Sequence, residues 1–447
     1  MLIIIHGWSD NYSSFKTLAR KLAAAQPEGI AADIRHVRLG DYVTLDDQVN
    51  YEDLAEAMQR AWTDLELPTA HRSVDVVIHS TGGLVVRHWI TRYFTPDTVP
   101  IKRLLMLAPA NFGSPLAHTG RSMIGRAVKG WKGTRLFETG AQILKGLEIA
   151  SSYTWKLAEK DLLGEQIYYG PGRILCTVLV GNAGYKGISA LANQPGTDGT
   201  VRVSTANLNV AAFELDFTDP TREVLPRMHQ TQLGTAFGIA DLEDHSSIAA
   251  KGGGPRRQPT WALICNALRV EDDGFTAWQQ QLERHNRDVT EQAEKRRSSH
   301  YNSYQNTVIR VVDHHGTPVT DYVIELFAND DKGQRNRLRT QRLQEQAINK
   351  VHAWSGDASY RSFLINCTEL YKIIDQPEDR LNISLTAVPE LSSGLVGYKT
   401  YTDEDISTLS LNPQELKAIF QPHRTLLITI VLKRYQKEAV FQFKNAV

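Results

Sequence analysis

The sequence predicts an α/β domain built on a small parallel sheet, followed by an all-β, sandwich-like domain. Three observations carry this. From Leu2 to Leu107 short apolar runs alternate with helical stretches that are apolar on one face, the pattern of a parallel sheet covered on both sides. One of those runs leads straight into a serine followed by two glycines, at Val76-Val77-Ile78-His79-Ser80-Thr81-Gly82-Gly83. From Thr307 the hydrophobic period becomes two, with Leu381, Ile383 and Leu385 alternating with Asn382, Ser384 and Thr386, as in a half-buried strand.

In order, Leu2 to Ile5 reads as a buried strand that runs into His6-Gly7-Trp8. Phe15, Leu18, Ala19 and Leu22 recur at helical spacing, with Ser13 and Ser14 as N-cap candidates. Ala32 to Val37 is a second strand. Leu54, Met58, Ala61, Trp62 and Leu65 mark an amphipathic helix, with Glu52 and Asp53 in its first turn. Val74 to Ile78, then Leu84 to Tyr93, form the strand and helix around Ser80, and Arg103 to Leu107 is the next strand. The alternation lapses over 116–171, a helical stretch rich in bulky apolar residues such as Trp131, Phe137, Leu144 and Trp155. A connection this long is usually functional, and we expect a lid or cap; the competing reading is that these helices cover the sheet. Ile174 to Val180 restores the strand pattern, Ala211 to Phe217 is a further strand, and Trp261 to Leu268 a closing helix. These elements give an α/β domain over 1–270, a helical linker over 271–302 and a β-sandwich-like domain over 303–447. Val308 to Val312 and Tyr322 to Phe327 flank a turn at Asp313-His314-His315-Gly316.

Composition excludes several classes. The chain has 447 residues, enough for two or three domains. Its 50 Lys and Arg balance 50 Asp and Glu, so no nucleic-acid partner is expected. Cys176, Cys265 and Cys367 are too few and too scattered for a disulfide framework. The start has no basic region before its short apolar run, and no run is long enough to span a bilayer. The expectation is a cytoplasmic protein, or one exported by a route without a leader.

Acyl-transfer chemistry needs a nucleophile, a base, a carboxylate to orient the base and donors for the oxyanion. Ser80 stands where a nucleophile elbow requires it, on a tight turn between strand and helix. His245 lies in a loop past the last strand, and Asp198 in the loop after the preceding one. The competitors are His229 for the base and Asp216, Asp219 and Asp244 for the carboxylate. His79 reads as a packed elbow residue, and His6 as a residue that fixes its loop. His314 and His315, adjacent in a turn, lack ligand geometry, and no metal spacing appears elsewhere.

His6-Gly7-Trp8, His79-Ser80-Thr81-Gly82-Gly83, Asp198-Gly199-Thr200-Val201 and Asp244-His245-Ser246-Ser247-Ile248, together with Ala108-Pro109 and Gly113-Ser114-Pro115, resemble the α/β-hydrolase superfamily, within it bacterial lipases and esterases. The resemblance covers about 1–270, and the chain order Ser, Asp, His is the one that family uses. It implies a serine esterase without a cofactor, with the backbone N–H groups of Trp8 and Thr81 as the oxyanion hole; the chain departs from larger members in beginning directly at the strand before His6-Gly7, so a minimal sheet is expected. A second departure is Ile78, where the elbow usually has glycine. The expected substrate is a lipid or other carboxylic ester, with a lipase or phospholipase favoured because the 116–171 insertion could bury a long chain. Short-chain, thioester or amide hydrolysis, a leaderless antibacterial lipase toxin, and a non-catalytic binding protein on the same scaffold are the alternatives. Membrane-surface contact and a protein partner for the C-terminal β-domain stay open.

Overall fold

A computed structural model describes the chain except residues 7–14, 26–29, 31–32, 45, 118–139, 187–189, 191–192, 220–226, 231–233, 297–301, 330–333, 402–409 and 441–447. It forms two compact units. The first comprises Met1–Val210, Gln230–Asn302 and His423–Thr425; the second comprises Ala211–His229, Ser303–Pro422 and Leu426–Val447.

In chain order the first unit begins with β1 (Leu2–His6), α1 (Lys16–Ala24), β2 (Ile34–Arg38), α2 (Tyr51–Asp64), β3 (Val74–His79), α3 (Gly82–Tyr93) and β4 (Ile101–Leu107). It continues through α4 (Ala141–Leu147), α5 (Ser152–Asp161), β5 (Leu175–Gly181) and the short α6 (Val203–Ala206). The chain then enters the second unit with β6 (Ala211–Phe217) and β7 (Arg227–Gln230), and returns for β8 (Thr235–Ala240), α7 (Gln258–Ala267) and α8 (Phe275–Lys295).

The sheet of the first unit has six strands in the order β2-β1-β3-β4-β5-β8, and every pairing in it is parallel. Both faces must therefore be covered, which is why β1 and β5 are buried at every residue. Each Ile or Val so buried contributes roughly 1.5–3 kcal/mol. The strand order reverses between β1 and β3, and in open α/β sheets ligands bind beside the carboxyl ends of the strands at such a point. The helix α2 starts on a capping box in which the Asn50 side chain accepts from Glu52 and Asp53 and the Asp53 carboxylate accepts from the Asn50 N–H. The candidate caps Ser13 and Ser14 lie outside the described residues.

Two placements differ from expectation. Ala211 to Phe217 is a strand, but of the other unit. Its burial alternates, as suits a sheet with one solvated face. The last strand of the parallel sheet is β8, Thr235-Ala236-Phe237-Gly238-Ile239-Ala240, which the sequence hides behind alanine and glycine, poor strand formers. Packing explains the glycine: a Cβ on Gly238 would lie 2.8 Å from Leu179 Cδ2 and 2.9 Å from Leu282 Cδ2.

The polar helix expected as a linker is α8, and it closes this sheet. Leu282 and Trp278 are buried, and the Trp278 indole donates to Thr177 at 3.0 Å. The Asn286 amide accepts from the Ile239 N–H at 2.8 Å and donates to the Phe237 carbonyl at 2.9 Å. It thus satisfies two backbone groups of an edge strand as a further strand would, which blocks edge-to-edge pairing.

Of the stretch expected as a lid, 118–139 lies outside the described residues. The rest covers the fold. The Arg87 side chain of α3 donates to Asp161 of α5 at 2.7 and 2.9 Å with both side chains 0% exposed. Tyr51 of α2 stacks on Tyr153 of α5 at 4.1 Å and donates to the Ile143 carbonyl in α4 at 3.3 Å.

The second unit is β-rich, as expected, but also holds short helices. Its main sheet has the order β11-β12-β9-β14-β6-β7, using β9 (Tyr304–Asp313), β11 (Ile348–Ala353), β12 (Tyr360–Asn366) and β14 (Thr425–Leu432). A separate antiparallel pair joins β10 (Tyr322–Asn329) to β13 (Arg380–Ala387). Helices at Arg337–Arg342, Cys367–Ile373 and Pro413–Ile419 complete it. Leu215, Val311, Tyr322, Leu370, Leu381, Leu416 and Leu432 share its core. Asp313 closes the turn holding His314 and His315 by accepting from the His315 and Thr317 N–H groups at 2.9 Å each. The competitors Asp216, Asp219 and His229 all fall in this unit.

Candidate active site

Ser80 follows the carboxyl end of β3 and precedes α3. Its φ is +56°, a conformation that costs a non-glycine residue about 1–3 kcal/mol and persists only where its surroundings impose it. They do so here by hydrogen bonds. The Ser80 N–H donates to the Leu107 carbonyl at 3.2 Å, and the Ser80 carbonyl accepts from Gly83 at 3.2 Å and Ala110 at 3.3 Å.

The glycines have distinct roles. A Cβ on Gly83 would come within 2.9 Å of Pro109 Cβ and 3.1 Å of Asn111 Oδ1, so the turn can approach the loop after β4 only without one. At Gly82 a Cβ would make ordinary contact with Ile78 Cβ at 3.5 Å. Ile78 therefore occupies the position where the elbow usually has glycine without crowding residue 82, and a Cβ there would not change that.

His245 and Asp198 arrive from separate loops, past β8 and past β5. His245 Nε2 lies 3.1 Å from Ser80 Oγ, and His245 Nδ1 lies 3.0 Å from Asp198 Oδ2. Asp198 is fully buried and His245 nearly so. The second Asp198 oxygen accepts from the Thr200 and Val201 N–H groups at 3.0 and 2.8 Å, and the His245 N–H donates to the Asp198 carbonyl at 2.9 Å. A buried carboxylate bonded in this way can hold the imidazole in one tautomer and offset the imidazolium that forms when it takes a proton. The Tyr185 ring seals this loop over Gly199, whose φ is +98°; a Cβ there would meet the ring at 2.6 Å. Burial pushes the Tyr185 hydroxyl above its ordinary range, and it bonds Thr200 Oγ1 at 2.7 Å.

Asp244, the carboxylate next to His245, turns away. It accepts from the Ser246 and Ser247 N–H groups at 3.0 and 2.9 Å and pairs with Arg256. Glu243 accepts from the Arg257 N–H at 3.0 Å and from Ser247 Oγ. Both thus brace the His245 loop. Thr81 sits at the N-terminus of α3, where the first N–H groups have no intrahelical acceptor. Trp8 lies outside the described residues. His6 Nε2 lies 2.9 Å from His36 Nδ1, a bond that ties the end of β1 to β2. Among the described residues no group of three His, Cys, Asp or Glu could hold a metal. No helix among them is long and apolar enough to cross a membrane. Sequence reasoning gave no role to Tyr185, Glu243 or the ion pair Arg87–Asp161, since nothing in the local pattern signals contacts between residues so far apart.

A parallel sheet with a serine at such an elbow, and an aspartate and a histidine from the loops after its last two strands, has the α/β-hydrolase fold. The chain is similar to phospholipase PlaB from Legionella pneumophila in two solved structures. With the structure in complex with thio-NAD the TM-score is 0.83 at 23% identity, covering 100% of this chain and 96% of that one. With the second it is 0.81 at 24% identity, with the same coverage of 100% and 96%. No protein-family model and no curated protein matches the chain in sequence.

Proposed function

We propose that the protein is a serine hydrolase that cleaves carboxylic esters through an acyl-enzyme, with a lipid or phospholipid as substrate. The observation that carries this is the unbroken relay from Ser80 Oγ to His245 Nε2 at 3.1 Å and from His245 Nδ1 to Asp198 at 3.0 Å, starting from a serine held at φ +56°. In this reading His245 takes the Ser80 proton as the hydroxyl attacks the ester carbonyl. Asp198 holds the imidazole in place, and His245 then protonates the leaving alcohol and activates the water that frees the acyl group. The Thr81 N–H and, by the family resemblance, that of Trp8 receive the oxyanion; losing one such donor typically costs about 100- to 1000-fold in kcat. The choice of a lipid is supported by the likeness to a phospholipase over the whole chain and by the apolar insertion.

The test has two parts. A fluorophosphonate probe should label the protein and fail on Ser80→Ala; equal labelling of both would refute the nucleophile. A series of p-nitrophenyl esters and phospholipid vesicles of increasing acyl length should show turnover rising with chain length. Turnover confined to short soluble esters would refute the lipid assignment.

A further inference from the structure

The buried ring of His79, next to the nucleophile, has no place in the proton relay. It lies in the elbow strand, but its hydrogen bond goes to the base loop: His79 Nε2 is 2.8 Å from the backbone carbonyl oxygen of His245. A carbonyl only accepts, so Nε2 carries the hydrogen. The two imidazole centroids are 4.5 Å apart, tilted by 51°, and the His79 ring also meets Phe15, edge-on at 5.9 Å. One side chain of β3 therefore fixes the peptide that carries the base relative to the strand that carries the nucleophile.

We propose that His79 is a positioning residue: its Nε2–H···O=C bond sets the register of the His245 imidazole against Ser80 Oγ. The inference rests on the reading of Ser80 and His245 as nucleophile and base. The 3.1 Å contact between them is formed by groups 165 residues apart in sequence, and displacement of a reacting group by about 1 Å can cost on the order of 100-fold in rate.

The full-length protein would be compared as wild type, Ser80→Ala, His79→Phe, His79→Gln and His79→Asn. His79→Phe keeps a ring and removes the donor. Glutamine places an amide N–H near the position of Nε2, and asparagine stops short of it. The second-order rate of fluorophosphonate labelling, and kcat and KM for a soluble ester, are the readouts. The expected result is a fall of about 10- to 100-fold in labelling and kcat for His79→Phe and His79→Asn, KM unchanged, and recovery to within a few-fold in His79→Gln. Wild-type labelling by His79→Phe overturns the proposal. Should His79→Phe fail to fold, the Asn and Gln pair decides, and equal rates for those two overturn it. Retained labelling in Ser80→Ala would instead sink the underlying enzyme reading, so the two failures are distinguishable.

Discussion

Replacing Asp161 by alanine tests whether the helices after residue 140 are structural parts of the fold. The substitution removes the carboxylate from a pair whose side chains are both 0% exposed. Arg87 loses bonds of 2.7 and 2.9 Å and keeps one to the Asn111 carbonyl at 3.0 Å. The Tyr169 hydroxyl loses its acceptor at 2.9 Å. Arg87 cannot shed its proton to escape. A guanidinium keeps its proton inside proteins; in the wild type burial opposes its charge and Asp161 outweighs burial, holding it above its ordinary range, and the variant loses that compensation. A buried charge left without its partner costs about 3–5 kcal/mol. For a domain of a few hundred residues that corresponds to roughly 6–15 °C in Tm, read by differential scanning calorimetry. The double variant Arg87→Met/Asp161→Leu removes both charges at similar volume and should recover most of the loss, because the penalty lies in the orphaned charge and not in the absence of the pair. A single variant within about 2 °C of wild type, or a double variant as unstable as the single, would refute the reasoning.

Two further predictions concern the elbow and the pH response. Gly83→Val drives a branched side chain into Pro109 and Asn111; overpacking of this kind costs about 1–3 kcal/mol. It should abolish fluorophosphonate labelling, whereas Gly82→Ala should label near the wild-type rate, and the reverse order would contradict the elbow geometry. Asp272 is partly buried, which favours protonation, but the Gly172 N–H and the Arg72 guanidinium outweigh this and hold its carboxyl below the usual range. Its stabilising effect is therefore fully present above the unfolded carboxylate value of about 3.9 and is lost as pH falls through the lower folded value. Because the side chain is 39% exposed, solvent screening limits the effect to about 1 kcal/mol or less. The Tm gap between wild type and Asp272→Asn should be constant from pH 7 to about pH 5 and close below about pH 4; a gap that widens in acid would show the opposite sign.

Much of the fold is legible because the relevant signals are local. Continuous apolar runs such as Ile3-Ile4-Ile5 and Val76-Val77-Ile78, alternating with amphipathic helices, are what a parallel sheet covered on both faces requires. A serine before two glycines at the end of such a run specifies its own turn. The proposed acid and base are suggested by loop position: Asp198 comes after β5, and His245 follows the last strand wherever that strand lies. What does not show in the sequence depends on contacts distant along the chain. Period two at Ala211 to Phe217 identifies a strand but not its sheet; the partner that decides is Leu426 to Leu432, paired in parallel with it. The true last strand escapes notice because Ala236 is a weak strand former and Gly238 makes room for Leu179 and for Leu282, 44 residues downstream. Helix α8 looks like a linker because its surface is polar, yet one of those polar residues, Asn286, finishes the sheet edge. Polarity on a helix is therefore no sign that it stands apart. An amide facing an unpaired strand does the work of a backbone, and hydropathy cannot distinguish it from an amide facing water.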